Sequence, residues 1–147
     1  MNDYLNVIRN NYANFQGRAR RREFWMFSLI NFIILTVLEI PVLVSLPALS
    51  ASTDGNGQTS SPLMWLMIIS GLLILLYSLF ILLPSLAVSV RRLHDTGKSG
   101  WWYLISFVPF IGSLAVLVLM VLDSEPGSNP WGPNPKGETA AVTANSW

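Results

Sequence analysis

From residue 63 to residue 90 the chain runs for 28 residues without a charged side chain, and this run constrains the fold more than any other feature. As a continuous helix it is about 42 Å long, more than the ~30 Å hydrocarbon core of a bilayer. Two other runs resemble it. Residues 24–49 hold Glu39 as their only charge, and residues 101–122 are 22 uncharged positions. Charged residues make up 12% of the chain, about half the share of a soluble domain, and hydrophobic residues make up 52%. Cysteine is absent, which excludes disulfides, thiolate metal sites and Cys nucleophiles. The expectation is an all-α integral membrane bundle, one domain over residues 1–147 with three transmembrane helices at 24–49, 63–90 and 101–122.

Prolines qualify these spans. Pro41 and Pro47 suggest that the first helix ends or kinks near them, and Pro84 is the natural kink or exit point of the second. Val108-Pro109-Phe110-Ile111-Gly112 punctuates the third run, which is then a kinked span or a re-entrant hairpin. A hairpin needs shielding from lipid and three helices offer little, so the kinked span is the favoured reading. The first run is too long and starts too late for a signal-peptide core, although ALSAS at 48–52 imitates a cleavage site.

Basic residues set orientation when they flank the spans. Arg9, Arg18, Arg20, Arg21 and Arg22 precede the first run, and Arg91, Arg92 and Lys98 separate the second from the third. The loop at 50–61 has no basic residue, and the tail has Lys136 alone against Asp123, Glu125 and Glu138. Eight of the nine basic residues therefore lie on one side of a three-span chain. That side is predicted cytoplasmic, with the N-terminus on it and the 50–61 loop and the tail across the membrane.

Residues 1–16 carry Tyr4, Leu5, Ile8, Tyr12 and Phe15 at helical spacing against an Asn-rich face, with Gly17 as the stop. The pattern predicts a short amphipathic helix in the membrane interface, or one packed on a partner. Residues 123–147 are rich in Pro, Gly and Asn and are predicted to be irregular.

Polar chemistry concentrates in two places. Arg18-Ala-Arg20-Arg21-Arg22, directly before a span, reads as a topology anchor that meets anionic phospholipid headgroups rather than nucleic acid. The turn at 91–100 holds the single His beside Asp95. Side chains adjacent in sequence diverge, so a His–Asp catalytic pair is disfavoured, and one His without Cys makes no zinc site. The turn reads first as a tight interhelical connection, in which Arg91 and Arg92 anchor the second span and Asp95 and Gly97 supply turn chemistry. In the alternative reading Arg18, Arg22, Arg91, Arg92, His94 and Asp95 are the ligand-binding candidates, for a small ligand or a phospholipid headgroup. Glu39 is the one ionisable residue inside a predicted span; about 22 Å along the helix it reads first as an interfacial residue near the outer boundary, with ion coupling as the alternative. Asn31 is placed to hydrogen-bond across a helix pair. Neither a metal nor a cofactor is expected.

Three stretches together resemble the bacterial "domain of unknown function 805" family of small inner-membrane proteins: FQGRARRREFWMF at 15–27, RRLHDTGKSGWW at 91–102 and PGSNPWGPNP at 126–135. Their order, with apolar runs between them, carries the resemblance over nearly the whole chain. It implies a multi-spanning inner-membrane protein and no catalytic residue. The loop around Asp54 is longer than the short connection usual for that family. If all three stretches build one site, the third apolar run must return to its starting side. The function expected from sequence is a non-enzymatic structural, accessory or stress-related membrane component. It could be homo-oligomeric or joined to a membrane partner. A subunit of a small-solute or ion transporter, or a lipid-headgroup-binding protein, is the alternative.

Overall fold

The computed structural model describes residues 2–51 and 61–137, and the serine- and glycine-rich loop around Asp54 lies outside them. Helix α1 (Asn2–Asn10) is followed by α2 (Arg21–Ala51) and α3 (Ser61–Asp95), then a 3₁₀ helix (Gly100–Phe107) and α4 (Ile111–Val121). Two of these, Arg21–Pro47 and Pro62–Asp95, are long and apolar enough to cross a membrane. The all-α class and the two long helices match the sequence reading.

Both long helices run through their prolines. Pro41 and Pro47 lie inside α2 and Pro84 inside α3. A proline costs a helix one backbone bond, but among apolar surroundings no water stands ready to replace the bonds that a break would expose. Continuing the helix is the cheaper outcome.

By contact the chain divides into two units, Leu29–Leu82 and the combination of Met1–Ser28 with Leu83–Trp147. The first comprises the apolar parts of α2 and α3. Its polar feature is the predicted one: Tyr77 Oη donates to the Oδ1 of Asn31, which is buried. Ser70, also buried, returns its hydroxyl to the Leu66 carbonyl at 2.7 Å. Tyr77→Phe removes the interhelical bond and should cost about 0.6–2 kcal/mol, read as a lower melting temperature in mild detergent.

The second unit carries the corrections. Helix α1 ends at Asn10 rather than reaching residue 16. The asparagines that follow hydrogen-bond locally: Asn14 Nδ2 donates to Asn11 Oδ1 (2.9 Å), and the Gln16 backbone N–H to Asn14 Oδ1 (3.0 Å). Such bonds compete with helix, so the amphipathic pattern outruns the helix itself. Val7 is fully buried, and Tyr4 stacks on Phe27 of α2 with ring centroids 5.6 Å apart.

The third apolar run is not one continuous helix. Eight residues form the 3₁₀ helix, Pro109 and Phe110 turn the chain with Phe110 at φ 64°, and eleven residues form α4, which packs on the 3₁₀ helix. The run begins and ends at the same place, because the Glu125 backbone N–H donates to the Asp95 carbonyl at 2.8 Å. The expected kinked third span is therefore replaced by a hairpin, and the tail returns to the 91–100 turn instead of lying opposite it. The turn pairs part of its own backbone. Val108 N–H bonds the Ile105 carbonyl (3.0 Å), Gly112 N–H the Val108 carbonyl (2.9 Å), and Ser113 Oγ the Phe110 carbonyl (3.3 Å). Pro109 has no N–H to satisfy.

Candidate functional site

The hairpin and tail bring the three sequence motifs to one polar cluster. Its foundation is backbone: Ala19 N–H donates to the Arg91 carbonyl (3.0 Å), fixing the segment before α2 on the end of α3.

Arg18 sits at the centre with its side chain 1% exposed. Its Nε donates to Asp95 Oδ1 at 2.9 Å. Nη1 donates to the carbonyls of Gly127 (2.8 Å) and Gly132 (3.4 Å), and Nη2 to those of Glu125 (2.6 Å) and Asp95 (3.3 Å). A guanidinium has five N–H donors, and here each has an internal acceptor.

Arg92, fully buried, completes the arrangement from the other side. Its Nε donates to the Met120 carbonyl (3.2 Å), Nη1 to Asp95 Oδ2 and the Ala19 carbonyl (3.4 Å), and Nη2 to the Leu122 carbonyl. The last carbonyls of a helix lack intrahelical partners and carry the negative end of its dipole. Arg92 thus caps the C-terminus of α4, Arg18 meets that of α3 through the Asp95 carbonyl, and Arg21 Nε adds a second bond to the Leu122 carbonyl (3.0 Å). Asp95, 0% exposed, divides its carboxylate among Arg18, Arg92 and the Ser124 hydroxyl.

Around this core lie the remaining candidates. The His94 ring stacks on Trp131 with centroids 4.6 Å apart and planes 10° from parallel. His94 Nδ1 lies 3.3 Å from the Gly17 carbonyl, an acceptor only, so Nδ1 carries the proton. Asn129 Nδ2 donates to the His94 carbonyl (2.8 Å) and Glu125 Oε2 (3.0 Å). Arg91 pairs with Glu23 at 3.0 Å, while its Nε and Nη2 are buried without a partner. Arg22 lies outside the cluster, 79% exposed and paired with Asp3 at 2.9 Å. Asp123 bridges Arg21 (3.3 Å) and Lys136 at the exposed edge. The Lys136 hydrogen bond, helped by the Ser124 backbone N–H, holds its carboxyl below the usual carboxylate range. Glu39 belongs to the other unit, is exposed on α2, and its carboxylate makes no hydrogen bond or ion pair among the described residues.

Arg18, Arg91, Arg92, His94 and Asp95 are therefore brought together, and Arg22 and Glu39 are not. Sequence reasoning missed Glu23, Ser124, Asn129 and Trp131, together with every carbonyl acceptor. Carbonyls leave no trace in a sequence. The tail residues had one signal, the recurrence of PGSNPWGPNP beside the two basic motifs.

All three motifs fall largely within one family match. The chain matches the family described as "Protein of unknown function (DUF805)" over residues 12–133. It belongs to this family. Among its relatives, "Inner membrane protein YhaI" of Escherichia coli (strain K12) is 42% identical over 136 residues, covering 90% of this chain and 94% of the relative. "Inner membrane protein YhaH" of the same organism is 39% identical over 138 residues, covering 94% and 99%. No solved structure matches. This DUF805 member is accordingly a bacterial inner-membrane protein, embedded in the lipid bilayer, as the apolar runs require.

Proposed function

We propose that this protein is a non-enzymatic structural component of the inner membrane. In this reading α2 and α3 cross the bilayer, the hairpin dips in from the cytoplasmic face and returns, and the Arg18–Asp95–Arg92 cluster locks that face shut. The observation that carries the reading is the inward use of polar chemistry: all five donors of Arg18 are taken by Asp95 and backbone carbonyls. A guanidinium so committed has no donor left to offer a substrate.

Charge and length support the topology. With the tail beside the other motifs, Lys136 joins the remaining basic residues, and all nine Lys and Arg flank one side. The two arms of the hairpin, 8 residues of 3₁₀ helix and 11 of α-helix, are each about 16 Å long, close to half the ~30 Å core. The bonds made within the turn remove part of the penalty for irregular backbone at that depth.

Paired reporters test this. Green fluorescent protein fused after Trp147 should fluoresce and alkaline phosphatase there should be silent, with the reverse result for fusions inserted at 52–60. An active phosphatase at the C-terminus overturns the topology. Inorganic phosphate or glycerol 3-phosphate should leave the melting temperature unchanged. A rise that Arg18→Lys abolishes would make the cluster a ligand site instead.

A further inference from the structure

Beside the lock, between the end of α3 and the 3₁₀ helix, lies an open cleft of about 430 Å³. Phe15, Leu86, Val90 and Leu104 form its apolar walls, with Tyr103 and His94 adding polar atoms. Leu86 and Val90 belong to the uncharged run and His94 to the polar turn, so the cleft passes from apolar to polar over about 12 Å of helix. Gly100 lets the 3₁₀ helix approach α3 closely beside the cleft, since a Cβ there would meet Val90 Cγ1 at 2.8 Å and His94 Nε2 at 3.6 Å. His94 has committed Nδ1 to Gly17, so Nε2 faces the cleft as a hydrogen-bond acceptor. Lys98 immediately precedes Ser99 of the lining, and its ammonium makes no hydrogen bond or ion pair among the described residues. Trp101, 76% exposed, stands on the same rim, a residue type suited to the headgroup level.

A ligand matching these features is amphiphilic, anionic near Lys98 and able to donate a hydrogen bond to an imidazole. We infer that the cleft seats one acyl chain of an anionic glycerophospholipid with a hydroxyl-bearing headgroup. The phosphate lies at Lys98 and a headgroup hydroxyl donates to His94 Nε2. The inference rests on the reading that this face meets the membrane boundary.

The test is native mass spectrometry of the full chain in mild detergent, titrated with phosphatidylglycerol or phosphatidylcholine. One phosphatidylglycerol per chain should be retained in preference to phosphatidylcholine. Leu86→Trp fills the cleft and should weaken retention roughly tenfold, the worth of about two buried methylenes. Leu104→Trp should do the same, and because Leu104 is 50% exposed it keeps the test open if Leu86→Trp does not fold. Lys98→Gln should cost phosphatidylglycerol about fivefold and leave phosphatidylcholine unchanged. Undiminished retention in both tryptophan variants overturns the proposal, as does displacement of the lipid by glycerol 3-phosphate, which has no chain. Loss of selective retention while the C-terminal reporter stays cytoplasmic sinks the lipid seat alone. A misplaced reporter sinks the topology beneath it.

Discussion

Asp95→Ala should lower stability by about 3–5 kcal/mol, the range for removing one partner of a buried ion pair, and the melting temperature in detergent by on the order of 10 °C. The reason is what stays behind. Arg18 and Arg92 are both buried on this carboxylate, and Ser124 donates to it as well. Without it two guanidinium charges share only carbonyl dipoles, and both lose their neutralising charge. Asp95→Asn keeps the shape and one acceptor oxygen, so it should fall between Asp95→Ala and the native chain. Arg22→Ala is the control: the Arg22 side chain is 79% exposed and Asp3 is partly exposed, and the change should stay within about 1 kcal/mol. Equal effects at Asp95 and Arg22 would refute the lock.

The second large effect is expected at Gly112. A Cβ there would lie 2.0 Å from the Ile105 carbonyl oxygen, a distance no side chain tolerates. The obstruction is backbone, so it cannot rotate aside, and the turn must open for even one methyl group. Gly112→Ala should cost about 1–3 kcal/mol. Hydrogen–deuterium exchange locates the damage. Protection should fall across 100–121, where α4 packs on the 3₁₀ helix, and persist in the middle of α2. Unchanged exchange across the hairpin would show that its two arms do not depend on this close approach.

Much of the fold is legible in the sequence because lipid imposes a simple rule. Runs such as 63–90 have no partner for their backbone except themselves, so they are helices whatever their neighbours do. The fate of 101–122 is not legible in that way. Its length and lack of charge suit a span as well as a hairpin, and Val108-Pro109-Phe110-Ile111-Gly112 permits both. What decides is the tail, whose Glu125 N–H reaches Asp95 and whose carbonyls at Gly127 and Gly132 receive Arg18. These are main-chain groups, identical in every residue. The candidate site divides along the same line. Arg18, Arg92, His94 and Asp95 stand out as polar residues beside apolar runs. Their assignment to a ligand rested on residue type, whereas the use of each donor depends on carbonyls that only a folded chain positions. Tyr77 with Asn31 is the contrasting case, where polar side chains among apolar neighbours announce that they need partners.

Arg18 also imposes an order of events on biosynthesis. Its acceptors at Glu125, Gly127 and Gly132 are 107, 109 and 114 residues further along the chain. At ribosomal rates of ~5–20 residues per second, that guanidinium waits on the order of 10 s for its last acceptor to be made. Both long helices leave the ribosome in that interval, so in the proposed topology the lock closes over a chain already threaded into the bilayer. Until then, in that topology, the arginine stays solvated at the cytoplasmic side and anchors the nascent protein there.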